Sequence, residues 1–537
     1  MARSAVVAFL QGVHAEVAAR REHRVHDLGR REFLGGLGAS LTLAGCGAVT
    51  SGAFAPGAAQ ALRRNAPRIV IVGAGLAGIT CAYRLSQAGV GSEVFEANSR
   101  SGGRTWTLRG FFDDGQYAEH GGQLIASAHH YVRRLARELG LELVNLNALY
   151  PPNAVTTNFI SGERYAQRDA VEDYDRYVYD PLNEAARAAG PVTTFYQHTP
   201  AGVALDRTSV DEWLNRNVRG GTTSNIGKLM LLACLDEYGG ETHLQSALNL
   251  IYLFSGMRRG RLNLSGTGED DKYTVRGGID QLVARMVAKL PDATVRLGNA
   301  LEALARNADG SYTCTFSAGG TMKSVPADVV VLSIPFTVLR LVDTKAAEFS
   351  ARKRRAIASL DLGSNAKLHL QFRSPYWFKD GYNATAYATQ TFQGSWDASI
   401  GQGGRAGLLV CYPGGARGAT HVGPVHGSAP QATAQRYLRS LEPVLPGALN
   451  AFNGLAYQDF WIDDPYARGA YSYYQTGQYT TLSGEERIPE GNVYFCGEQT
   501  SIVWQGYMNG AIESGQRAAS EVLQALTSPV RQTRRAS

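Results

Sequence analysis

The chain has 537 residues, too many for one hydrophobic core, so two or three domains are expected. Hydrophobic residues make up 44% and charged residues 19%, the balance of an ordinary soluble protein rather than of a disordered or membrane-embedded one. The formal net charge of +6 is not gathered in a patch, which argues against a nucleic-acid partner.

Residues 1–64 read as a leader and linker. Gly29-Arg30-Arg31-Glu32-Phe33-Leu34 resembles a twin-arginine export motif, and the apolar run after it, 33–44, is too short to span a bilayer. Leu43-Ala44-Gly45-Cys46 matches a lipoprotein cleavage box in which Cys46 would carry a lipid anchor; Ala59-Gln60-Ala61 is a rival cleavage site. The expected destination is the periplasm, the extracellular space, or the outer face of the membrane. Six cysteines (46, 81, 234, 314, 411, 496) form no CxxC pair, so neither a disulfide framework nor a metal site is expected. Cys81 and Cys496 read as core thiols.

Residues 68–96 carry the strongest signal. A buried parallel strand, 69–72, leads into Gly73-Ala74-Gly75-Leu76-Ala77-Gly78, then a helix, then a second strand ending on Glu96. In this G-x-G-x-x-G unit Gly73 permits the tight turn, Gly75 lets backbone approach a pyrophosphate, and Gly78 lets helix pack on strand. The helix N-terminus offers free N–H groups to phosphate. Glu96 can accept hydrogen bonds from ribose hydroxyls and would repel a 2′-phosphate. Ala97, Asn98, Ser99, Arg100, Ser101, Gly102, Gly103 and Arg104 follow. The Gly pair suits a second pass of backbone along a diphosphate, with Arg104 as a charge-assisted donor. An ordinary nicotinamide enzyme has no need of that second loop. The run E-x-x-x-R-x-G-G-R, starting at Glu96 with Arg100 as its first arginine, resembles the FAD-binding start of the flavin amine oxidase superfamily.

The rest of the chain extends the resemblance. Gly121, Gly122 and Gln123 stand where that family places a Gly-Gly pair along the flavin. A helix is expected over 131–141, others over 174–189 and 225–253, the last strongly apolar. Residues 273–282 mark a return to the cofactor domain. The resemblance makes 293–297 a strand passing the adenine, with Val295 against it, and 327–335 is another buried parallel strand. Residues 375–411 read as part of a mixed sheet roofing a substrate cavity, and 413–430 as a loop. At 491–519 a strand leads to Gly497 and Glu498, and a helix starts near Met508 with small residues at Gly510, Ala511, Ser514 and Ala518. Its N-terminus would stabilise negative charge on the pyrimidine end of a flavin. This stretch resembles the C-terminal FAD motif of monoamine oxidases, with Glu498 at the ribityl or phosphate region and Gly506, Tyr507 and Met508 at the flavin.

What the resemblance implies for chemistry rests on three residues. Tyr507 and Tyr471 match paired aromatics forming a slot for a neutral amine. Lys367, in a strand where Lys367, His369 and Gln371 alternate with Leu368, Leu370 and Phe372, matches a lysine that holds a water at flavin N5; a solvated strand face is the plain alternative. Ala470 replaces the cysteine through which monoamine oxidases attach FAD, so non-covalent FAD is expected. Arg258, Arg259 and Arg261 are candidates for a substrate carboxylate, with a plain basic loop as the alternative. His120 and Gln123 either touch substrate or only pack.

The expected fold is α/β: a Rossmann-type FAD-binding domain assembled from 65–150, 266–345 and 461–526, an α+β substrate domain from 151–265 and 346–460, and a disordered basic tail, 527–537. The implied activity is oxidative deamination of a small-molecule amine or L-amino acid, with hydride passing to flavin N5 and O2 reduced to hydrogen peroxide. A dehydrogenase or desaturase of the same superfamily using another acceptor, and a non-catalytic flavin-binding scaffold, are the alternatives. Homodimerisation is compatible with these motifs and not specified by them.

Overall fold

The computed structural model describes residues 67–265 and 270–527. The export motif, Cys46, the rival cleavage site and the arginines of the basic tail lie outside these residues.

Two sheets organise the molecule. The first is five-stranded and parallel, in the order Val493–Phe495, Val329–Leu332, Ile69–Val72, Glu93–Phe95, Val295–Arg296. Its central strands, IVIV and VVVL, are buried throughout, as a parallel sheet covered on both faces requires. On one face the helices Leu76–Gln87 and Met508–Thr527 pack together. A methyl group on Gly515 would lie 2.4 Å from the Ala77 carbonyl oxygen, so the small residues of the second helix set how closely the pair approaches. A three-stranded antiparallel sheet, Ala300–Arg306, Tyr312–Ala318 and Thr321–Ala327, precedes the Val329–Leu332 strand.

The second sheet is eight-stranded and mixed: His426–Ser428, Phe452–Phe460, Ala366–Phe372, Gly407–Tyr412, Gly394–Asp397, Tyr382–Ala388, Val155–Ile160, Glu163–Arg164. Only Tyr382–Ala388 and Val155–Ile160 pair in parallel. Ala366–Phe372 is buried on both faces. Leu368, Leu370 and Phe372 join a core with Leu438 and Leu441. Lys367, His369 and Gln371 face a second buried layer, so the polar alternation marks an internal polar face and not a solvated one.

Several expected boundaries move. Residues 225–253 form two helices, Asn225–Tyr238 and Ala247–Phe254. The break is at Gly239, in the left-handed region at φ +64°, where an added methyl would lie 1.9 Å from Asn365 Oδ1. Residues 174–189 begin with a π-helical turn, Tyr174–Val178, before Tyr179–Ala189. The loop expected over 413–430 contains a helical turn, Gly415–Gly418, and the strand His426–Ser428. The 293–297 strand shortens to Val295–Arg296. Cys81, Cys234, Cys314, Cys411 and Cys496 are free and buried. Among the described residues no helix is long and apolar enough to cross a membrane.

Candidate functional site

One cavity of about 1040 Å³ runs from the glycine-rich turn after Ile69–Val72 to the inner face of the eight-stranded sheet. The turn forms its near end. Gly73 has φ +100°, and a methyl on Gly78 would lie 2.1 Å from the Gly73 carbonyl oxygen, so both glycines are needed for packing. An added Cβ on Gly75 meets nothing within 4 Å: that position faces open cavity. The second loop lies along the first, Gly102 N–H donating to Ala74 O at 2.8 Å. The near end thus offers bare backbone, the start of the helix Leu76–Gln87 and two arginines, the chemistry of a diphosphate site.

The acids here are already engaged. Glu96, 8% exposed, accepts Ala74 N–H at 2.6 Å and Asn98 N–H at 2.8 Å. Burial raises its pKa against those two bonds. Glu498 accepts Arg104 Nη1 at 3.0 Å, Ser472 Oγ at 2.6 Å and Gly506 N–H at 2.7 Å. It clamps three loops together, a role beyond the cofactor contact expected of it. Arg104 also donates to Ala470 O at 2.6 Å. Arg100 lies 3.9 Å over the Trp106 ring and bonds Gly103 O, so it buttresses the loop whose residues line the cavity.

Gly121 and Gly122 line the cavity, but their lack of side chains serves the protein too. A methyl on Gly121 would lie 2.1 Å from Arg104 O, and one on Gly122 2.8 Å from Met508 Sδ. Lys367 secures this loop. Its Nζ, in a side chain 4% exposed, donates to Gly121 O at 2.7 Å, Glu119 O at 2.9 Å and Gln123 Oε1 at 3.2 Å. Burial pulls the ammonium below its ordinary pKa, while Glu119 and Asp459 oppose that shift. Gln123 also receives Trp396 Nε1–H at 3.2 Å.

Tyr471 and Tyr507 wall the far half. Tyr507 donates its hydroxyl to the Glu237 carboxylate, and Tyr471 donates to the Asp236 carbonyl at 2.8 Å. Tyr412 lies 2.9 Å from the Tyr471 hydroxyl. Both tyrosines are therefore braced by consecutive residues at the end of helix Asn225–Tyr238. Nothing in the sequence singled out Asp236 and Glu237, although an acid pair closing an apolar helix was a usable signal. Tyr387, Trp396 and Tyr412, which add aromatic wall, were not singled out either.

Behind Lys367 lies a buried network that was also not foreseen. Asp459 Oδ1 is 2.6 Å from His120 Nδ1 and 2.7 Å from His426 Nδ1, and Asp464 Oδ2 is 3.1 Å from His426 Nε2. These three side chains, His120, His426 and Asp459, present ligand atoms close together. The spacing is that of hydrogen bonds; ligands around a zinc-like ion sit roughly 3.4 Å apart. Burial pulls His426 down, but its bonds to Asp459 and Asp464 outweigh it and lift its pKa to about 9. His120, stacked on Trp106 at 3.4 Å, belongs to this network as well as to the cavity wall.

Of the sequence-predicted residues, the cavity gathers Gly73, Gly75, Leu76, Ala77, Glu96, Ala97, Arg100, Gly103, Arg104, Gly121, Gly122, Gln123, Lys367, Tyr471, Gly497, Glu498, Gly506, Tyr507 and Met508. Ala74 and Gly78 stand behind its wall. Val295 does not line it: it pairs with Val94 at the sheet edge, and the wall there comes from residues 299–302. Arg258, Arg259 and Arg261 are exposed and line none of it; Arg259 pairs with Asp180.

Residues 76–523 match the family model described as flavin containing amine oxidoreductase. Amine oxidase [flavin-containing] A of Sus scrofa is 24% identical over 470 residues, 85% of each chain. Among solved structures, cyclohexylamine oxidase from Brevibacterium oxydans IH-35A superposes with a TM-score of 0.73 at 22% identity, covering 86% of this chain and all of that one. Putrescine oxidase bound to putrescine gives 0.72 at 24% identity, covering 85% and 99%. The wall that joins a glycine-rich dinucleotide cradle to a buried lysine and two braced tyrosines, and the family match over most of the chain, lead to one conclusion: this chain belongs to the flavin-containing amine oxidoreductase family.

Proposed function

We propose that the chain is an exported oxidase that binds FAD without a covalent link and oxidatively deaminates an amine, releasing hydrogen peroxide. The observation that carries this is the single cavity in which the glycine-rich cradle and the Lys367, Tyr471 and Tyr507 side chains share one wall. Bound FAD would accept two electrons and a hydrogen from a C–H beside nitrogen and pass them to O2.

The chain's own residues prepare that chemistry. The cradle, with Arg100 and Arg104 nearby, suits a diphosphate. The aromatic walls strip water from the amine, which lowers its pKa and favours the neutral form with a free lone pair. Anchored hydroxyls hold both tyrosine rings in place. Lys367 fixes the loop 119–123 beside the cavity. The imine left on the substrate takes up water to give a carbonyl product and ammonia. Ala470 lines the cavity, and among the described residues no cysteine does, which supports non-covalent binding.

An amine is favoured over an amino acid because, among the described residues, the tyrosine end presents no guanidinium. The arginines of the cavity stand at the glycine-rich end, and the three N–H groups of Lys367 are engaged.

The test uses purified holoprotein. Anaerobic addition of amines bleaches the flavin absorbance, reoxidation in air yields peroxide stoichiometrically, and acid precipitation releases all the flavin. Bleaching without peroxide would make the protein a dehydrogenase. A bound flavin that no amine bleaches would make it a scaffold.

A further inference from the structure

Three adjacent strands of the eight-stranded sheet set a row of charged side chains behind the cavity. Lys367 stands opposite Asp459, and Asp459 opposite His426. His369 lies on the same face, its Nε2 3.4 Å from Asp459 Oδ2. His120 covers the row from the loop that Lys367 holds, so Lys367 and Asp459 both fasten that loop.

The hydrogen bonds decide which nitrogens carry protons, because a carboxylate only accepts. His426 has a carboxylate oxygen on each ring nitrogen, Asp459 Oδ1 at 2.7 Å and Asp464 Oδ2 at 3.1 Å, so both nitrogens donate and the ring is a cation. His120 has only Asp459 Oδ1, 2.6 Å from Nδ1, and its enclosed Nε2 has no hydrogen-bond partner among the described residues. That leaves Nδ1–H toward Asp459 and a lone pair on Nε2. Burial holds this ring below its ordinary pKa, against the pull of Asp459.

The other groups that face His120 have no room for a further proton. Lys367 meets three acceptors with three N–H groups. Arg100, over the Trp106 ring on which His120 stacks, is a permanent cation. Tyr457, edge-on to His120, keeps its proton, burial lifting it to about 12. Asp459 and Asp464 are held as anions by the histidines, and Glu119 turns away to Ile279 N–H and Thr107. The neutral bases of the row are His120 and His369, and of these only His120 lines the cavity.

An alkylammonium sheds one proton before it can react. Hydride transfer then adds one negative charge to the cavity, and forming hydrogen peroxide takes one proton back. A neutral base in the wall can hold that proton between the two half-reactions. We propose that His120 takes up a proton at Nε2 on reduction of the bound flavin and returns it when peroxide forms, with Asp459 and His426 as the positioning residues that fix its tautomer. The atoms balance: an N–H bond of the substrate ammonium is replaced by Nε2–H, and that proton together with the hydride converts O2 to H2O2. This rests on the amine-oxidase reading above and assigns the proton of its second half-reaction.

The experiment measures the reduction potential of the purified holoprotein, without amine, against dyes of known potential from about pH 6.5 to about pH 8. Two electrons and the flavin's own hydrogen account for one proton, and His120 adds a second. The potential of the wild type therefore falls about twice as steeply with pH as that of His120→Asn, whose amide still donates to Asp459 but does not titrate. His369→Gln keeps the wild-type steepness. A merely structural His120 would shift the potential equally at every pH. Equal steepness in wild type and a folded, flavin-loaded His120→Asn would overturn the proposal, as would a loss of steepness in His369→Gln instead. If His120→Asn does not fold, the wild type decides: one proton per two electrons overturns the proposal and two uphold it. None of these outcomes touches amine oxidation, whose own failure is a bound flavin that no amine bleaches.

Discussion

At the scale of single residues, the site is governed by buried charges that hold one another. Lys367 is the clearest case: Glu119 O and Gly121 O depend on it, and burial lifts the Glu119 carboxyl beside it. Lys367→Met removes the cation and leaves two enclosed carbonyls without a donor. The expected result is flavin retained, with reduction or reoxidation slowed by about tenfold or more. Stopped-flow traces of both half-reactions at wild-type rate would remove Lys367 from the chemistry. His426 gives a second prediction, in pH. Its folded pKa of about 9 stands above the ordinary 6.5, so its contribution to stability is complete below 6.5 and fades as pH rises through about 9. The shift corresponds to on the order of 3 kcal/mol. Asp459 and Asp464 on one side, and His120, Trp106 and Trp461 on the other, are the groups that face it. The gap in Tm between wild type and His426→Gln should be widest near pH 6 and close above pH 9. A gap that stays constant or widens would show that His426 is not held as a cation.

At the scale of elements, legibility followed the range of the forces. The turn from Ile69–Val72 into its helix was readable because three glycines and a terminal acid do local jobs that sequence spacing records. The helix break at Gly239 was missed although Gly239-Gly240 is a local stop signal, because the apolar runs on either side of it read as one helix. Contacts 126 and 233 residues away, with Asn365 and the Tyr473 ring, fix Gly239 and Gly240. That break sets the acid pair Asp236 and Glu237 at a helix end facing the cavity. The polar face of Ala366–Phe372 was ambiguous for the same reason: alternation states that two faces differ, not that both are covered. Two glycines of the turn now separate by role. Gly75, at φ −71°, faces open cavity, so Gly75→Ala leaves the stability of the flavin-free protein within about 1 kcal/mol of wild type but cuts flavin occupancy. Gly78→Ala drives a methyl into the Gly73 carbonyl and costs about 1–3 kcal/mol before any flavin is added. Flavin absorbance and thermal unfolding of the two variants, measured side by side, check this. Equal stability losses would mean that the cavity face of Gly75 has been misplaced.

At the scale of the whole molecule, the cavity exists only because distant segments converge. The parallel sheet takes strands from residues 69–72, 329–332 and 493–495, and the lysine comes from the other sheet at residue 367. No single segment carries the whole cavity, so a dinucleotide would meet its complete site only in the folded chain. That would fit the proposed export route, which carries folded proteins across a membrane, and it makes Arg30 and Arg31, which resemble a twin-arginine motif, testable. Expressed from the full sequence in a bacterium with a twin-arginine system, the wild type should leave the cytoplasm already carrying flavin. Arg30→Lys combined with Arg31→Lys should hold it inside, folded and yellow. Intact mass then separates the two cleavage readings: a lipid-modified Cys46 at the mature N-terminus, lost in Cys46→Ala, against a start after Ala61. Export that proceeds unchanged without both arginines would detach the leader from this route, whatever the cavity does.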